Sequence, residues 1–149
     1  MKRQYQRGSQ ILEFALVLPF LLVIIFLVLD IGFLVYNKAV ITNASREAAR
    51  FATVLTATPW TVPNVKAVAC AYARESLINT RPGTHDNTCG GSADPTFGVL
   101  NPNGNVPPQF GDPITVTVTY LYSGFLTSAN GWLPLPEWTL TATTRMNHE

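Results

Sequence analysis

Sixteen consecutive residues, Phe14 to Leu29, carry no charge, and Ile31 to Tyr36 prolong the run past the single Asp30 to 23 residues. No other stretch limits the fold so strongly. In hydrocarbon every backbone N–H and C=O has to be satisfied within the segment, which a helix does and an irregular chain does not. At about 1.5 Å per helical residue the run reaches roughly 35 Å, enough for a hydrocarbon core of about 30 Å. Of the 149 residues, about 110 then remain, room for one modest globular domain.

Charge sets the expected orientation. Lys2, Arg3 and Arg7 precede the run with no acid among residues 1–8, and the excess of basic residues on cytoplasmic flanks predicts a cytoplasmic N-terminus. Lys38, Arg46 and Arg50 follow on the other side, so the bias is not one-sided. Residues 51–149 hold four basic and six acidic side chains. So mildly acidic a distal part makes nucleic acid an unexpected partner. A secretory signal peptide shares the basic start and the apolar stretch, but its core is usually about 7–15 residues with a small-x-small site close behind. Here Glu13 interrupts the approach to a longer run, and the nearest such site, Thr42 to Ala44, lies far beyond it.

Gly8, Ser9 and Glu13, fifth after the glycine, resemble the start of type IV prepilins, a resemblance that implies a peptidase cut between Gly8 and Ser9; neither residue places a bulky side chain beside that peptide bond, so a peptidase at the membrane surface could approach the backbone closely. A cut there removes the basic leader and creates an α-amino group on Ser9, four residues before Glu13 and therefore on the same helical face. A carboxylate costs about 2.5–3.5 kcal/mol near the centre of a membrane helix and less toward the interface. The new amine, from the same chain or a neighbour, could neutralise it. Taken alone, Glu13 reads as a solvated carboxylate at the boundary, and an uncleaved anchor is the competing reading.

A basic leader ending in Gly8, then Ser9, Glu13 fifth after the glycine and Phe14 opening the apolar helix, resembles the start of type IV prepilins and pseudopilins. The closer resemblance is to the TadE-like proteins, minor pilins of the tight-adherence (Tad/Flp, type IVb-like) pilus machinery. It is carried by Glu13-Phe14-Ala15-Leu16-Val17-Leu18-Pro19, Asp30-Ile31-Gly32 and Asn43-Ala44-Ser45-Arg46-Glu47-Ala48-Ala49-Arg50, and covers about the first 52 residues. Phe33 departs from the pattern, since a basic residue is expected after the Asp-x-Gly group, so no role is carried over to it. The resemblance implies a structural protein: a membrane-inserted minor pilin or pseudopilin, cut by a prepilin peptidase between Gly8 and Ser9, with Glu13 pairing to an N-terminus during assembly. It also implies its partners, namely that peptidase, pilin and other minor pilin subunits, the inner-membrane assembly platform and membrane lipid. The expected place is the cytoplasmic (inner) membrane, single-pass, with the head outside the cytoplasm, or the extracellular pilus itself.

The expected architecture is α+β: a leader over residues 1–8, a transmembrane helix over 9–36, and a stalk helix and extracytoplasmic head over 37–149. Pro19 lies inside the helix and frees the carbonyl of Ala15, inviting a kink. Asp30 sits about 24 Å beyond Phe14, at the outer boundary, where interfacial water suffices for it. Val40, Ala44, Ala48, Phe51, Ala52 and Leu55 repeat at three or four residues and continue the helix as an amphipathic stalk to about Leu55. Val65, Val68, Ala69, Tyr72, Ala73 and Leu77 form one stripe of a second helix from about Pro63 to Ile78. Residues 79–113 contain six glycines and six prolines and read as a long irregular loop.

Ile114 to Tyr122 alternates, with Ile114, Val116, Val118, Tyr120 and Tyr122 on one face, and Thr139 to Met146 alternates likewise. The two strands are expected to pair antiparallel and cover the second helix, with a further short strand from the loop. Phe125, Trp132, Leu133, Leu135 and Trp138 lie between or beside them, as a contact surface or as a lid on the small core. The two cysteines, Cys70 and Cys89, suggest one disulfide and an oxidising compartment, two free thiols being the alternative.

Nothing in the sequence builds an enzyme. His85 and His148 lack a second ligand at metal-binding spacing, and there is no dinucleotide fingerprint, P-loop or nucleophile elbow. No catalytic residue, cofactor or metal is expected. Beside the pilin reading stands one alternative, a single-pass membrane-anchored extracytoplasmic module that binds protein and is not incorporated into a pilus.

Overall fold

A computed structural model of the chain describes residues 7–54, 60–78, 89, 95–104, 106–124 and 137–148, with side chains from Gln10 onward. Its first element, α1, is a continuous helix of 47 residues, Arg7–Thr53, roughly 70 Å long at the usual rise. It runs through Pro19 without a break in helical structure. Its last turn carries Arg50, a cation where the partial negative charge of the helix terminus favours one. The Trp60 indole N–H donates to the carbonyl of Ala52 at 3.1 Å, filling one of the acceptors that a helix end leaves open.

The second helix, α2 (Val62–Ser76), starts where capping chemistry dictates. Thr61 is extended and its side-chain oxygen accepts the N–H of Asn64 at 3.3 Å, while Pro63 occupies the first turn, where no N–H is required. Three antiparallel strands complete the head: β1 (Thr96–Leu100), β2 (Pro113–Tyr122) and β3 (Trp138–Asn147), in the order β1-β2-β3. Register aligns Val99 with Val116, Val116 with Thr144, and Tyr122 with Trp138.

The period-two pattern decides which face is buried. Ile114, Val116, Val118, Tyr120 and Tyr122 are all at most 2% exposed, and against them pack the distal half of α1 and one face of α2. Near the membrane-proximal end, Val40, Ile41, Ala44, Ala73, Leu77, Val118, Tyr120, Tyr122, Leu140 and Ala142 form one cluster, with Phe33 and Leu34 against it. Farther along, Ala48, Ala49, Ala52, Val65, Ala69, Ile114 and Val116 form a second. The alanines let α1 approach α2 and the sheet closely, because larger side chains would hold the backbones apart.

Several details differ from the sequence expectations. The stalk helix ends at Thr53, and Leu55 lies outside the described residues. On α2, Val65, Ala69, Ala73 and Leu77 are buried, but Tyr72 is 41% exposed, because the buried face follows steps of four and Tyr72 falls beside it. Within the stretch 79–113 read as a loop, the further short strand expected there is β1, Thr96–Leu100, paired with β2. After the turn at Gly104, held at a φ of +71°, Asp112 accepts the backbone N–H of Gln109 at 2.7 Å, and His148 donates its own N–H to the Asp112 carbonyl at 2.8 Å. That contact ties the end of β3 to the start of β2.

Candidate functional site

Helix α1 lives in two environments. Every large apolar side chain from Ile11 to Leu29 is exposed, from 37% at Leu18 to 72% at Leu12. Nothing in the head covers them. Among the described residues this is the one helix long and apolar enough to cross a membrane, and it suggests single-pass anchoring. Gly8 and Ser9 lie in its first turn and Glu13 in its second, with Glu13 exposed in the midst of apolar neighbours.

At Asp30 the environment changes. The Tyr122 hydroxyl lies 3.2 Å from the Asp30 backbone carbonyl and 3.4 Å from Oδ1, donating toward both. Gly124 comes so close that a Cβ on it would sit 2.6 Å from Asp30 Oδ2, which excludes any side chain there without displacing the carboxylate. Burial, then the Asp30 carboxylate, its hydrogen bond and nearby Tyr120 push the Tyr122 hydroxyl up to about 12, so it stays a donor at neutral pH. Interfacial water therefore does not account for Asp30: it is where the head takes hold of the membrane helix.

Seven residues on, Asn37 is fully buried. Its amide donates to the Ile78 carbonyl at 2.8 Å and accepts the Ile78 N–H at 2.9 Å, satisfying both backbone groups beyond the end of α2. The Lys38 ammonium donates to the carbonyl of Thr141. Buried Ser45 donates to the Thr42 carbonyl at 2.8 Å, which leaves the Thr144 hydroxyl to donate to Ser45 across a further 2.8 Å. Asp30, Asn37, Lys38 and Ser45 are thus polar pins along the same helix. Sequence reading overlooked three of them, although a polar Asn37 among Leu34, Val40 and Ile41 is a signal that such a position needs partners.

Cys70 on α2 and Cys89 form a disulfide with Cα atoms 6.0 Å apart at a sequence separation of 19; closing such a loop is worth about 3 kcal/mol on the chain-entropy estimate. The bridge, Lys66, Arg74 and Phe97 help to line an open groove of about 690 Å³ between α2 and β1. It gathers no acid, base and nucleophile into one constellation. His148 is buried at the end of β3, and no group of three metal-binding side chains occurs among the described residues. His85, the aromatic residues Phe125 and Trp132, and Leu133 and Leu135 lie outside the described residues.

These features define an α+β protein with a small disulfide-containing head and one long apolar helix that suggests single-pass anchoring. Residues 8–50 match the family described as TadE-like protein, so the resemblance read from Glu13-Phe14, Asp30-Ile31-Gly32 and the Asn43–Arg50 segment holds over that range. The match takes in nearly all of α1 and stops before the rest of the head. It points to a Tad pilus-associated protein with pilin-type partners, and to a structural component rather than to an enzyme family. No curated protein and no solved structure matches the chain.

Proposed function

We propose that this chain is a minor pilin or pseudopilin of a Tad-type pilus, inserted in the inner membrane, cut between Gly8 and Ser9 by a prepilin peptidase, and joined to its partners through α1. The observation that carries the reading is the exposed apolar half of α1 with one exposed carboxylate, Glu13, placed five residues after Gly8. Such a surface has two good solvents, lipid before assembly and neighbouring helices after it. The cut frees an amine that can neutralise Glu13 as neighbouring helices draw it out of water. The disulfide supports a head facing an oxidising compartment, and hence a cytoplasmic leader.

Intact-mass measurement on protein from a host with the peptidase should give residues 9–149. A full-length chain whose mass is unchanged when the peptidase is deleted overturns the processing. Glu13→Ala separates pilin from plain anchor. In an anchor it is harmless; in a pilin it leaves insertion and cleavage intact but strands an amine, and losing one member of a buried pair costs about 3–5 kcal/mol. Crosslinking to pilus components at equal membrane levels should therefore fall steeply, and unchanged crosslinking favours the anchored binding module.

A further inference from the structure

We infer that the end of the head where β2 and β3 meet, at Tyr122 and Trp138, rests in the headgroup region of the membrane that α1 crosses. The inference builds on the membrane-spanning reading of α1. The charge-free run from Phe14 to Leu29 is about 24 Å of helix, short of a hydrocarbon core of about 30 Å. With Glu13 at one boundary, the outer interface therefore falls at or just above Asp30. The head is pinned at that same level: Tyr122 hydrogen-bonds Asp30, and Gly124 is in contact with its carboxylate.

Trp138 is the register partner of Tyr122, on the face of β3 that buries Leu140 and Ala142, yet it is 57% exposed. It overhangs the core at the end where α1 emerges from the head with its apolar surface bare. Tyr36, 45% exposed, lies six residues or about 9 Å farther along the helix. Exposed Trp and Tyr at the level where a span leaves the hydrocarbon are what the interface favours, because their rings are apolar and their N–H or O–H groups want water. Exposed Glu137 and the acid Asp30 flank the patch, and the one nearby cation among the described residues, Lys38, is engaged by the Thr141 carbonyl, so attraction to anionic lipid is not the driving force. The surface fits zwitterionic phospholipid, through ring burial, with little dependence on salt.

Tryptophan quenching tests this in the full chain. Trp60→Phe with Trp132→Phe leaves Trp138 as the reporter, Trp132→Phe with Trp138→Phe leaves Trp60, and Phe26→Trp in a chain with all three native tryptophans changed to Phe reports on the span. Each is reconstituted into phosphatidylcholine vesicles brominated near the top of the acyl chains, with the Cys70–Cys89 bridge checked by non-reducing mass analysis. Trp138 should lose about half its emission, as a ring at headgroup level would, while Trp60, at the other end of the head, should lose almost none. Quenching at Phe26→Trp without quenching of Trp138 overturns the inference and leaves the span standing. No quenching at Phe26→Trp overturns both. Equal quenching of Trp60 and Trp138 also overturns it, since the head would then lie flat rather than touch down by one end.

Discussion

The two halves of α1 form one unbroken helix but differ both in composition and in what surrounds them: residues 11–29 are apolar but for Glu13, and residues 30–53 are amphipathic. From Ile11 to Leu29 the side chains are large and bare on all sides, and the one carboxylate among their neighbours, Glu13, is exposed as well. From Asp30 to Thr53 the helix keeps one buried face, in which Val40 and Ile41 give way to Ala44, Ala48, Ala49 and Ala52, and polar residues recur at positions where the head supplies partners. Large apolar residues all round suit a segment whose solvent is lipid or identical helices, because no fixed partner dictates shape. Small residues and satisfied polar groups suit a segment with a single, fixed partner. One helix therefore carries two kinds of specificity, general below Asp30 and particular above it.

Asn37 tests the particular half most severely. Asn37→Leu would be welcome in the lower half, but here it leaves the N–H of Ile78 without its amide partner, while the Ile78 carbonyl keeps only the Tyr120 hydroxyl at 3.5 Å. A stranded N–H costs about 1–3 kcal/mol and the second lost hydrogen bond about 1 more, so the head should lose roughly 2–4 kcal/mol. Denaturant unfolding of the head in micelles, followed by near-ultraviolet dichroism, measures this. An unchanged midpoint would mean that the upper face is as undemanding as the lower.

A single substitution made in both halves sharpens the contrast. Ala48→Leu inserts volume at a site with no exposure between α1, α2 and β2, and overpacking costs about 1–3 kcal/mol. Ala15→Leu meets open surface and should change head stability by less than about 0.5 kcal/mol. The same unfolding experiment reads both, and equal effects would break the division at Asp30.

Much of this was legible in advance because periodicity is local. The alternation from Ile114 to Tyr122 gave the buried face of β2, the three-and-four spacing of Val40, Ala44, Ala48 and Ala52 gave the packed face of α1, and the apolar run gave the exposed half. Strand β1 was harder, since its five residues include Gly98 between Phe97 and Val99 and sit among turn formers. The junction was hardest. Asp30 and Tyr122 are 92 residues apart, and Asn37 and Ile78 are 41 apart, so no window of sequence shows them together. Asp30 was assigned to water at the outer boundary, because the sequence does not tell that the last inward residue of β2 brings its hydroxyl to this carboxylate.

The smallest expected effect lies at this junction, where the two halves meet. Asp30→Asn keeps the backbone carbonyl that Tyr122 approaches and puts an amide oxygen in place of the carboxylate, so at neutral pH the loss is at most that of one modest hydrogen bond, about 0.5–1.5 kcal/mol. The alkaline range is more telling. Tyr122 is pushed up from 10 to about 12, which means that the folded head holds this proton more tightly than the unfolded chain does. Its contribution is complete below about pH 10 and is lost as the pH rises through about 12, a span worth at most about 3 kcal/mol. In Asp30→Asn the charge is gone and a neutral amide oxygen replaces the carboxylate acceptor while burial and Tyr120 remain, so the Tyr122 titration should move down toward 10 without reaching it, and the alkaline loss of stability should shrink accordingly. Tyrosinate absorbance, taken as the difference from a Tyr122→Phe chain, isolates the group. A Tyr122 titration unmoved by Asp30→Asn would show that the head does not grip α1 through this carboxylate, and the boundary between the two halves would have to be sought higher, at Asn37.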